Sequence, residues 1–130
     1  MPIMSEILAP ILGRILIGGF FLWHGIEHAL NLPQTVEQLT AAGIPCAFAA
    51  ATLMVAIEAV GGMLIIVHTY IAPTALILFV YELLILTLAF IVAAPSLDTF
   101  VTYIALLGGL LLLVNYEKQA AEHVRTKRRY

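Results

Sequence analysis

Four runs of predominantly apolar residues, at 6–30, 45–68, 71–94 and 96–116, each reach the roughly 20 residues that a helix needs to cross the hydrocarbon core of a bilayer. Backbone inside that core must satisfy its own hydrogen bonds, which restricts such a chain to a bundle of spanning helices. With 62% hydrophobic and 11% charged residues and a mean hydropathy of +1.04, the composition lies far outside that of soluble domains. The sequence therefore predicts an all-α fold, a four-transmembrane-helix bundle over residues 1–117 with a basic tail over 118–130. The lipid bilayer is its expected solvent, and no nucleic-acid-binding feature is present. The first run lacks a basic leader and is interrupted by Arg14, so it is expected to remain as a span rather than to be removed as a signal peptide.

The breaks between runs carry their own signals. His68-Thr69-Tyr70, with Pro73 just beyond, forms a polar and aromatic corner suited to the headgroup region, and Pro73 is expected in the first turn of the next helix. Pro95-Ser96 separates the last two runs, with Ser96 as the expected N-cap and Asp98 as its competitor. Between the first two spans, segment 31–44 places Leu32, Val36 and Leu39 at helical spacing opposite Gln34, Glu37 and Gln38. That pattern predicts a short amphipathic interfacial helix, begun by Pro33 and ended by Gly43 ahead of Pro45. Of the six Lys and Arg residues, Lys118, Arg125, Lys127, Arg128 and Arg129 follow the last span, and none lies in a connecting loop. The positive-inside rule then places both termini in the cytoplasm.

Ionisable groups are costly in hydrocarbon, so those within spans direct attention to an interior site. On the first span, Arg14, Gly18, Phe21, Gly25 and His28 fall on one stripe, with His24 at its margin and Glu27 well round the helix. Glu58 shares a face with Ala47, Ala51, Met54 and Gly62, and Glu82 shares one with Ala75, Leu78 and Ala89; Ala105, Gly108 and Gly109 offer a similar small-residue face on the fourth span. Measured from the cytoplasmic ends of the runs, Arg14, Glu58 and Glu82 lie roughly 12, 15 and 18 Å deep. One layer is expected to hold all three, with Arg14 paired to Glu58. The second carboxyl is then surplus, and is expected to be protonated, bonded to Tyr81 or Tyr103, or reached by water or a ligand.

His24, Glu27 and His28 form a separate polar cluster toward the non-cytoplasmic side and spell HGIEH, matching the HxxEH pattern of inverted zinc proteases. His24 and His28, at i and i+4, could share a metal, but with only Glu37 and Asp98 as further donors from the same side no convincing third ligand is identifiable, and no metal is assigned. His28 and His68 lie toward opposite surfaces, roughly 30 Å apart, and cannot jointly ligate one haem. The single cysteine, Cys46, excludes an intrachain disulfide, a CxxC redox pair and a Cys-based zinc site.

Several of these residues fall in recognisable local sequences. Gly13-Arg14-Ile15-Leu16 is followed by Phe20-Phe21-Leu22-Trp23-His24-Gly25, then by Ala42-Gly43-Ile44-Pro45 and by Ile57-Glu58-Ala59-Val60-Gly61-Gly62. Over roughly 13–92 the chain thereby resembles the DoxX family of small four-helix bacterial membrane proteins, part of the wider DoxD-like group. Where the family often has a lysine shortly after the first-span glycine, this chain has His28. The resemblance implies a multi-pass protein of the bacterial inner membrane; relatives serve in thiosulfate:quinone oxidoreductase or in membrane redox and thiol-stress assemblies. The expected function is a redox-associated subunit whose site of Arg14, Glu58, Glu82, Tyr81 and Tyr103 binds a quinone or similar amphipathic ligand. The alternatives are a noncatalytic subunit that assembles with partner membrane proteins or with itself, and a proton or ion conductor. No reaction is assigned from the sequence.

Overall fold

A computed structural model describes residues 2–92 and 95–130. The described residues form five helices and no strand: α1 (Pro2–Leu30), α2 (Leu32–Ala41), α3 (Ala47–Ile66), α4 (Ile71–Val92) and α5 (Leu97–Arg128). All but α2 are long and apolar enough to cross a membrane, and the chain is a multi-pass membrane protein. Side chains such as Leu16, Trp23, Leu84, Ile91 and Leu112 are exposed, as expected of groups facing acyl chains. The expected end of the third span at Ala94 lies outside the described residues.

The helix boundaries follow local chemistry. Ser96 caps α5, its hydroxyl accepting from the Thr99 backbone N–H at 3.3 Å. Pro33 stands in the first turn of α2, and Gly43, at φ 78°, turns the chain out of it. The corner before α4 places His68 and Tyr70 in the left-handed region, and the Thr69 N–H closes the end of α3 on the Leu64 carbonyl at 3.0 Å. The charged segment beyond 116 continues α5 as helix to Arg128.

The spanning helices associate as two pairs, α1 with α3 and α4 with α5, and α2 lies across α3. Glycine sets the first pair. A Cβ on Gly62 would stand 2.5 Å from the Gly18 carbonyl oxygen and 2.6 Å from the Leu22 nitrogen; one on Gly25 would stand 2.7 Å from the Ala59 nitrogen. The two backbones therefore touch along a seam that only small residues allow. The stripe of Arg14, Gly18, Phe21, Gly25 and His28 is the face α1 lays along that seam. The fourth span behaves differently from expectation: a Cβ on Gly108 meets nothing within 4 Å, one on Gly109 meets only the Ile17 side chain, and Ala105 is exposed. Leucines 107, 110 and 113 make the buried face of α5 instead.

Between the pairs, Phe21, Ile65, Ile71, Ala75, Leu78, Leu110 and Leu113 form the hydrophobic core. These residues cluster toward the end of the bundle that carries the basic tail. Toward the α2 end the same interface widens, and there the polar residues are found.

Candidate functional site

The α1–α3 seam decides which polar groups meet. With Gly18 against Gly62 and Gly25 against Ala59, the antiparallel register places His28 opposite Glu58 and Arg14 opposite His68, just past the end of α3. His28 Nδ1 lies 2.6 Å from Glu58 Oε2, and an Arg14 Nη meets His68 Nδ1. The expected Arg14–Glu58 pair is therefore corrected: Arg14 belongs to the tail-side end of the seam, beside His68 and about 15–21 Å in depth from Glu58. The cause is helix overhang. α1 begins at Pro2 and runs about a dozen residues beyond the end of α3, so depths counted from the ends of the apolar runs do not share an origin. The same register brings His28 and His68 within about 15–21 Å in depth, nearer than the sequence suggested.

Glu58 is 4% exposed and receives a second hydrogen bond, from the Tyr81 hydroxyl to Oε1 at 2.6 Å. That bond crosses from one helix pair to the other, so the carboxyl of α3 ties α4 to α1. Tyr81 thus engages the paired glutamate and not the surplus one. Glu82 follows it on α4 and is also 4% exposed; its Oε2 is a buried side-chain oxygen with no hydrogen-bond partner among the described residues. An unpaired buried carboxyl oxygen is expensive unless something not yet present satisfies it.

That oxygen belongs to a residue lining a cavity of about 310 Å³ at the α2 end of the interface between the pairs. His28, Glu58, Tyr81, Glu82 and Tyr103 supply its polar wall, while Phe20, Met54, Ile85 and Leu88 are among its apolar lining. The two polar groups expected to lie apart are thus joined in one site, with Arg14 outside it. His24 also lines the cavity, its ring 4.3 Å from that of Phe20 and 6.1 Å from that of His28. Glu27 points toward His24, with Oε2 3.8 Å from Nδ1, and does not line the cavity.

Sequence reasoning missed the contribution of α2. Thr35, Gln38, Leu39 and Ala42 border the cavity, and Thr35 and Leu39 are buried. The signal was the apolar stripe of α2, which had to cover something. A larger groove of about 690 Å³, between the overhanging ends of α1 and α5, is lined mostly by apolar residues and contains none of this polar constellation.

Chemically, the site offers a buried carboxyl bridged by an imidazole and a phenol, and a second carboxyl with an open oxygen. These groups can bind a small head bearing hydrogen-bonding oxygens and exchange protons with it. Comparison with curated proteins and with solved structures returns no match. The family model for DoxX matches residues 9–94, which include α2, α3, α4 and every lining residue of the polar wall except Tyr103. With four apolar spans and a match over more than half of its length, the chain belongs to the DoxX family of membrane proteins.

Proposed function

We propose that the chain is a redox-associated membrane subunit that binds the head of a quinone or similar small amphipathic ligand in the cavity between the two helix pairs. The observation that carries this reading is Glu82 Oε2, buried and without a hydrogen-bond partner among the described residues, in a wall where His28, Glu58 and Tyr81 are bonded to one another. At about 310 Å³ the cavity sits at the small end of the roughly 300–1,000 Å³ typical of ligand sites, a size suited to one ring. Glu82 can serve both forms of such a ring: as a carboxylate it accepts from a quinol hydroxyl, and as a carboxylic acid it donates to a quinone carbonyl. His28, Glu58 and Tyr81 hold the neighbouring proton positions in fixed geometry. Electrons are exchanged with a redox partner protein, a role supported by the family's association with membrane redox assemblies.

In this reading the protein lies in the bacterial inner membrane with both termini cytoplasmic, supported by the basic residues after 117. The membrane domain is 1–117 and the cytoplasmic tail 118–130, while α2 rests at the opposite interface with Gln34 and Glu37 toward water. The test is binding of a tail-less benzoquinol, the form whose hydroxyl donates to a Glu82 carboxylate, to the purified chain. Glu82→Gln should weaken it by about tenfold, as a charge-assisted hydrogen bond gives way to a neutral one, and Arg14→Gln should leave it unchanged. Equal binding by parent and Glu82→Gln, or loss with Arg14→Gln, would refute the assignment.

A second reading, assembly with a partner helix, draws on Ala105 and Gly108, which stand exposed on α5 with open space above Gly108. Native-membrane capture that yields only this chain, with no partner whose abundance depends on it, would remove that support.

A further inference from the structure

The polar cavity has an apolar neighbour on the α3–α4 side. This second cavity, of about 230 Å³, shares Leu39, Met54, Tyr81, Ile85 and Leu88 with the first as a common wall, and reaches Leu53 and Leu84, both exposed. A third, of about 160 Å³, continues it toward the tail side between Gly61 and Leu64 of α3 and Thr74 and Leu78 of α4, with Ile57 common to both. Together they form a groove that follows α3 from Ala50 to Leu64, about 21 Å.

The groove exists because α3 and α4 belong to different helix pairs and pack against each other less than either packs on its own partner. Gly61 keeps its floor low, since a Cβ there would stand 3.1 Å from a Leu78 methyl. Tyr81 stands where the polar and apolar cavities meet and bonds to Glu58. Met54, unbranched and flexible, is the member of the common wall best able to swing aside.

We propose that this groove holds the linear apolar tail of the ligand whose head occupies the polar cavity, an inference that rests on the reading of that cavity given above. The ligand is then a single-tailed, lipid-soluble amphipath with a small uncharged head, entering sideways from the bilayer between α3 and α4. Depth argues for this class over bilayer phospholipid. Glu58 and Glu82 lie ten or eleven residues, about 15 Å, inside the α2 ends of α3 and α4. A phosphate headgroup remains at the interface and does not reach them, whereas a neutral ring on an isoprenoid or alkyl tail does.

The experiment uses the full chain in phosphatidylcholine nanodiscs and a dimethoxy-methyl-benzoquinone bearing a decyl tail with a terminal diazirine. Photolabelled residues are mapped by mass spectrometry with and without the same ring lacking its tail, and a diazirine-bearing phosphatidylcholine is run beside it. Label from the quinone probe should concentrate at 57–64 and 74–78 and fall by about tenfold when the tail-less ring is present at about ten times its own Kd. Label from the phospholipid should spread over the lipid-facing surface and be unaffected by the ring. Ring-displaceable label on another face, such as the groove between α1 and α5, would overturn the tail assignment while leaving the head site standing. Groove label equal from both probes and indifferent to the ring would mean that bilayer lipid fills the groove. Absence of any ring-displaceable label would overturn the head site and the tail groove together.

Discussion

Two glutamates of nearly equal burial do different work because their partners differ. Glu58 is bonded to His28 and Tyr81, so Glu58→Ala removes the acceptor of two short hydrogen bonds and unties α1 from α4. The expected cost is about 3 kcal/mol, the low end of the range for breaking a buried pair, because the His28 side chain keeps 29% of its exposure. Glu82 has no such tie at Oε2, and Gln keeps its shape while removing the need to bury a carboxyl there. Glu82→Gln should be neutral or stabilising, yet impair ligand binding and complementation of a deletion strain. Thermal unfolding of both variants in one detergent checks the pair of expectations; a parent-like Glu58→Ala with an unfolding Glu82→Gln would reverse the roles assigned here.

At the level of helices, the α1–α3 seam is the feature that puts His28 beside Glu58. Gly62→Ala drives a Cβ toward the Gly18 carbonyl and should cost about 1–3 kcal/mol of stability. Gly108→Ala meets open space and should stay within about 0.5 kcal/mol of the parent. Comparable losses in both variants, read by the same unfolding assay, would show that the seam is not special. The seam also marks where sequence reasoning stopped. The polar stripe of α1, the small faces around Glu58, the Ser96 cap and the helical nature of 32–41 were legible because each depends on spacing within one segment. The pairing of Arg14 was not, because axial register between helices depends on overhang, and apolar runs do not reveal where neighbouring helices begin relative to one another. Matching Gly18 and Gly25 to Gly62 and Ala59 in antiparallel order would have placed His28 opposite Glu58.

For the molecule as a whole, the division into two helix pairs explains both its core and its cavity. Large apolar side chains fill the interface at the tail end, and at the α2 end the interface is held apart by residues that are polar and bonded to one another. A bundle whose role was only to pack would fill that space with leucine and leave no carboxyl oxygen unsatisfied. In the native membrane, that space is expected to be occupied by a ligand that meets Glu82. The most direct measurement is the amount of quinone or related lipid-soluble ring compound that accompanies the chain when it is extracted in native lipid without detergent. Near-stoichiometric ligand on the parent and on Arg14→Gln, with strong depletion on Glu82→Gln, is the predicted result. Ligand well below stoichiometric on the parent, or equal on parent and Glu82→Gln, would contradict it.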